Sequence, residues 1–196
     1  YLKFLQLVGI ELRPARSATT ILTFPVQQGF SESSIIVPSR SQVATAEPDE
    51  EGRPIVFETE RTLTAFRATL DAVQSDVGYD YALLTAANAA LEEGFDPFGP
   101  RATTGSALML GFDDPDELPA DSELALAFWP KLPVKELAPA PCGGAVTAVP
   151  LPAKIIWEVW AGTEWRPINV LLDETLAFTR SGLILLQTPS NGQAVK

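Results

Sequence analysis

IIWEVWAGTEWRPI, residues 155–168, holds three of the chain's four tryptophans. Two β-prone runs flank AGTE, and a four-residue loop there closes a hairpin. The loop sets the register: Trp160 opposite Trp165, Glu158 opposite Pro167, Trp157 opposite Ile168 and Ile155 opposite Val170. Side chains alternate along a strand, so Ile155, Trp157 and Val159 share a face with Ile168 and Val170. That face is apolar and is expected to be core, with Trp157 in it. Trp160 and Trp165 fall on the opposite face beside Glu158 and Pro167. Pro167 has no amide to donate, which places its strand at an edge or a bulge. The Trp160–Trp165 pair reads first as a cross-strand lock on the hairpin. A protein-interface anchor and a sugar-stacking platform, with Glu158, Glu164 and Arg166 to fix hydroxyls, are the sharper alternatives.

Moving outward, SGLILLQT (181–188) and SELALAFW (122–129) are further strand candidates, the second with clean alternation. With SALMLGFD (106–113) they make a second, sandwich-like β unit over 106–196. Its segment 130–153 carries six prolines and is expected to be an irregular loop. Upstream, TTILTFPV, SSIIVPS, SQVATA, PIVFETE and TLTAFRATLDA are short, rich in Thr, Val, Ile and Phe, and separated by turn residues. They predict a first β unit over 18–78, with DEEGR (49–53) as an exposed loop between two strands. Residues 79–105 are expected to hold a helix and then a Pro/Gly linker. YDYALLTAANAALEEG (79–94) has Tyr81, Leu84, Asn88 and Leu91 at helical spacing and ends in Gly94. The fold class is thus mainly β, in two small sandwich-like units.

YLKFLQLVGI, residues 1–10, places Tyr1, Phe4, Leu5 and Val8 on one helical face, with Leu2, Leu7 and Ile10 beyond it. Residues 1–17 therefore read as a short helix and lead-in, the cut end of a longer chain. The four residues on the stripe join Trp160 and Trp165 as candidate interface residues. No basic n-region precedes the stretch, so it does not read as a signal peptide.

Composition narrows the function. The chain is 46% apolar and 20% charged over 196 residues, a globular balance, and its net charge is −11. An acidic surface without a basic stripe repels phosphate backbones, so no nucleic-acid partner is expected. The chain has no histidine and one cysteine, Cys142. The usual zinc, haem, Ser-His and Cys-His chemistries therefore lack their parts, and an internal disulfide is impossible. No apolar run approaches the roughly 20 residues that span a bilayer, and no membrane insertion is expected. DDPDE (113–117) lacks the glycine and distal glutamate of a calcium loop and reads as a solvated turn. Glu58 and Glu60 lie two apart, on one face of a strand, but charged strand ends are commoner than acid/base pairs. No phosphate-binding glycine loop is present. The expectation is a non-enzyme with no metal and no cofactor.

The order of the motifs adds a resemblance. YLKFLQLVGIELRPARSATTILTF, then VPSRSQVATA and IVFETERTLT, resembles the large baseplate assembly proteins of contractile injection systems, relatives of the baseplate J and wedge proteins of contractile-tailed phages. The pattern there is an apolar helix, an RPARPA-like turn, a strand, VPAGTQVAT-like residues and VFET. Pro38 and Thr45 match it, whereas Arg40 and Ser41 replace its Gly-Thr. PFGPR (97–101), LGFD (110–113) and EVWAGTEWRPINVLLDETLAFTRSG are also similar, the last to a YEYWDGTAWRPL…D.T.GLTRSG stretch. The likeness covers most of residues 1–188 and is poorest over 130–153. It implies a structural wedge subunit with no catalytic residues, which contacts other baseplate subunits and itself in a ring. It also implies a cytoplasmic location during assembly, then a place in a phage-like particle. The alternative is a carbohydrate- or receptor-binding module that uses Trp160 and Trp165 on a glycan.

Overall fold

A computed structural model describes residues 17–27, 29–90, 94–113, 118–131 and 153–190. The expected helix at 1–10, with Tyr1, Phe4, Leu5 and Val8, lies outside them, as do Cys142 and most of the proline-rich segment. The described chain is mainly β, as composition and turn spacing predict. Its strands are distributed over five sheets of two or three strands each.

The first pair of sheets forms one ribbon. β1 (Ser34–Val37) runs antiparallel to β4 (Leu63–Phe66), and β2 (Gln42–Pro48) to β3 (Pro54–Glu58). Val37 faces Leu63 and Gln42 faces Glu58, so both ladders share a single register. Between them the ribbon kinks at Pro38–Ser41, where Arg40 takes a left-handed φ of 63°. The kink is tied across by Arg40 N–H to Thr59 C=O at 2.7 Å and Thr59 N–H to Ser41 C=O at 3.0 Å. The ribbon ends in the DEEGR loop, as expected. Asp49 Oδ1 accepts the amides of Glu51 (3.0 Å) and Arg53 (2.8 Å), and Gly52 supplies the positive φ of the turn.

The second group is β6-β5-β7. β5 (Leu70–Asp76) lies between β6 (Tyr81–Leu83) and β7 (Ala107–Phe112), both antiparallel to it. This pairing revises two expectations. The helix predicted over 79–94 begins instead as a strand: a tight turn at Gly78 (φ 85°) folds Tyr81–Leu83 back onto β5. Two tyrosines and a ladder outweigh the helical spacing, and α1 (Thr85–Ala89) is only five residues, with no buried side chain. Residues expected to link two units also do not separate them, since β5 from the first pairs with β7 from the second. TLTAFRATLDA, expected as one strand, breaks between β4 and β5, where Thr69 bonds Asp113 through both amide (2.7 Å) and hydroxyl (2.8 Å). Residues 19–26 form no strand; Pro25 interrupts their donors and no described strand pairs with them.

The third sheet, β11-β12-β8, carries the best-buried residues. β12 (Gly182–Gln187) is central, between β8 (Glu123–Phe128) and β11 (Asn169–Asp173). Its continuous apolar run suits a strand covered on both faces. Ile184, Leu185 and Leu186 are buried, with Val73 and Ala65 the other buried apolar side chains among the described residues. β4 lies against β8, and Arg61 at the root of the ribbon reaches Glu174 at 3.3 Å. The last sheet is the hairpin of β9 (Glu158–Trp160) and β10 (Trp165–Pro167).

Candidate functional site

The tryptophan hairpin has the register its loop length dictates. Trp160 pairs with Trp165 and Pro167 with Glu158, and the amide of Ile168 donates to Trp157 C=O at 3.0 Å. Ala161 N–H closes the loop onto Glu164 C=O at 2.8 Å, and Gly162 takes the positive φ. β10 is an edge strand, which tolerates Pro167. The hairpin is shorter than expected: Val170 turns away to pair with Leu186, so it does not face Ile155.

The two faces of the hairpin serve different ends. Trp157 packs into an aromatic cluster with Phe128 (centroids 6.0 Å apart) and Phe178 (6.3 Å), and Phe178 also meets Phe98 and Phe128. Trp157 is half-buried there rather than fully enclosed. Trp160 and Trp165 meet edge to face, 5.4 Å apart at 61°. This is the geometry of a stabilising aromatic pair, not of two coplanar rings offered to a sugar. Glu164 and Arg166, the polar groups that a sugar site would use, pair with each other at 2.8 Å. Trp165 remains 49% exposed.

Trp160 and Trp165 border a cleft of about 600 Å³ between the hairpin, β7 and the β8–β12 pair, which Trp157 and Val159 also line. Leu124, Leu126 and Leu186 line one wall, and Met109 and Leu110 of β7 another. Asp76 and Glu158 are its acidic lining residues. Sequence reasoning missed this cleft because it arises from long-range pairing of β5 with β7. The local signal was SALMLGF itself, an apolar run without alternation.

Phe178 reaches the aromatic cluster from an unusual turn. Leu176, Ala177 and Phe178 all have left-handed φ values, 49°, 57° and 61°. L-residues resist this conformation by about 1–2 kcal/mol each. Asp173 holds the turn: its Oδ1 accepts the Thr175 amide (2.8 Å) and hydroxyl (2.6 Å), and its Oδ2 the Ala177 amide (3.4 Å). Thr175, fully buried, in turn accepts the Phe178 amide at 3.1 Å. Burial raises the Asp173 pKa, but the bonds from Thr175, Ala177 and Leu176 outweigh it and hold the carboxyl below its ordinary value. The D.T and TRSG residues of the sequence are therefore a structural device. Arg180 Nε donates to Glu174 C=O at 2.5 Å, and at Gly182 a Cβ would come within 2.8 Å of the Glu174 side chain.

Among the described residues no group of three His, Cys, Asp or Glu is placed to hold a metal, and no helix is long and apolar enough to cross a membrane. Glu58 and Glu60 are exposed. Asp113 is engaged with Thr69, and the rest of DDPDE lies outside the described residues. Of the candidate interface residues, Trp160 and Trp165 stand together at the cleft. In comparisons with known proteins, no family model, no curated protein and no solved structure matches the chain.

Proposed function

We propose that the chain is a structural subunit of the baseplate wedge of a contractile tail or injection system, and that it holds neighbouring subunits by protein–protein contact. The observation that carries this reading is the ribbon. Among the described residues β2 and β3 pack extensively only on each other, no strand pairs with the outer side of either, and Ile35, Ile36, Ile55 and Val56 are exposed, Ile36 by 68%. A lone two-stranded ribbon is marginal in water, and open edges with apolar faces invite another chain. Motif order along the sequence supports the baseplate assignment within this class. The glycan-binding alternative draws no support from the edge-to-face tryptophans or from the Glu164–Arg166 pair.

The test is sedimentation of tail-like particles from the native host, with antibody detection of this protein. The reading expects it in the particle fraction, and expects Ile36→Glu with Val56→Glu to shift it to the free fraction while its melting temperature holds. Wild-type protein found only in the free fraction, or particles indifferent to the double substitution, would sink it.

A further inference from the structure

Among the described residues β7 is an edge strand, and its ladder to β5 is bulged only at one end, between Leu70 and Ala72. β5 occupies one side, and no described strand pairs with the other. Natural edges are blunted by lysine, proline or bulges that turn them away. ALMLGF, the whole of β7, contains no charged residue and no proline. Alternate N–H and C=O groups of an antiparallel strand point to its free side. Every residue of β7 lines the cleft, and Leu124, Leu126 and Leu186 line it too, placed to cover alternate side chains of an added strand.

Charge selects the occupant. Asp76 and Glu158 stand at the cleft, and neither has an ion-pair partner among the described residues. Among the described residues the Asp76 carboxylate accepts the Gly78 amide alone, at 2.6 Å. A second copy of a chain with net charge −11 would bring more negative charge to this rim. A segment that alternates aliphatic and basic residues meets the apolar wall with one face and the carboxylates with the other.

We propose that the cleft beside β7 binds an extended segment of a basic partner polypeptide, aliphatic on one face and Lys/Arg-bearing on the other, by strand addition to β7. Trp160 and Trp165 flank the added strand. The proposal rests on the assembly reading above and names the chemistry of one partner.

The probe is a synthetic peptide of roughly nine residues alternating valine and lysine, long enough to cover β7. It is titrated into the intact chain by calorimetry and followed by tryptophan fluorescence. Binding is expected, with the emission altered in wild type and much less so in Trp165→Ala. Two N-methylated versions, one at the valine amides and one at the lysine amides, decide the mode. Only one set of amides faces β7, so one version should lose roughly tenfold or more in affinity and the other should bind nearly as the parent. A glutamate-for-lysine peptide should not bind. Glu158→Gln should weaken the parent peptide several-fold, whereas Glu50→Gln, in the ribbon loop, should not. Equal binding by both methylated peptides would overturn strand addition. Binding of the glutamate peptide, or no binding of the parent, would overturn the partner chemistry. The Ile36→Glu/Val56→Glu chain should bind the peptide normally, so failure of the cleft and failure of the assembly reading are read separately.

Discussion

Asp173→Ala removes the acceptor that holds three left-handed residues in place. Two of its bonds, to the Thr175 amide and hydroxyl, are short and made to a charged carboxylate; the third, at 3.4 Å, is long. Bonds to a charged group contribute about 1.5–3 kcal/mol each, so the two short ones amount to roughly 4 kcal/mol. Without them the Thr179 and Arg180 amides still hold the turn closed on Thr175 C=O, so about one of the three left-handed residues relaxes, which recovers roughly 1 kcal/mol of backbone strain. The net loss is about 3 kcal/mol. Asp173→Asn keeps a carbonyl acceptor and should lose only about 1 kcal/mol, the difference between charged and neutral acceptors. Urea unfolding followed by near-ultraviolet circular dichroism checks both values, because the turn delivers Phe178 to Phe98, Phe128 and Trp157. A loss below about 1 kcal/mol for the alanine variant, or equal losses for alanine and asparagine, would show that the carboxylate does not hold the turn.

The same carboxyl predicts acid lability: its folded pKa is depressed, so its contribution is complete above the unfolded value of about 3.9 and is lost as pH falls through the folded value. Stability against pH should decline below about pH 4 in wild type, and Asp173→Asn should remove that part of the decline. Trp157→Ala should destabilise by roughly 2–4 kcal/mol in urea, at or below the usual range for a large aromatic because Trp157 is half-buried. Trp165→Ala, at a 49% exposed ring, should lose less than Trp157→Ala, about 0.5–1.5 kcal/mol of pair energy plus a small burial loss, with half-buried Trp160→Ala between them; equal losses for all three would contradict the two-faced hairpin. Gly182→Ala should lose about 2 kcal/mol or more by the same assay, since the new methyl meets Glu174 Cβ at 2.8 Å and its backbone carbon at 3.0 Å.

What the sequence makes legible here is whatever local geometry decides. A four-residue loop fixes register, so Trp160 opposite Trp165 and Glu158 opposite Pro167 follow from spacing alone. DEEGR reads as a loop because Asp at its start and Gly near its end supply an acceptor and a positive φ. SGLILLQT reads as a strand, but its central place appears only when β8 and β11 flank it. What stays hidden is decided at a distance. Tyr81–Leu83 become a strand because β5 is beside them, and helical spacing in an Ala-rich segment carries no trace of that neighbour. β7 joins β5 across about thirty residues, which also creates the cleft. The Asp173 turn lies between: its residues are visible as D.T and TRSG, but their left-handed path is not.

The balance of buried and exposed apolar groups bears on why such a chain would assemble. Among the described residues five apolar side chains are buried, while sixteen large ones are exposed, among them four on the ribbon and Trp165 beside the cleft. Sheets of two or three strands cover little of one another, so each leaves a face or an edge for something else. Exposed aliphatics alone would favour indiscriminate association. A net charge of −11 opposes contact between copies at low salt and leaves basic surfaces as the favoured partners. Apolar patches then supply the affinity and the acidic surface the selection. On the proposed assembly reading, a basic partner between copies of this chain would offset the repulsion, and β7 beside Asp76 and Glu158 would let one extended segment meet backbone, apolar wall and charge together.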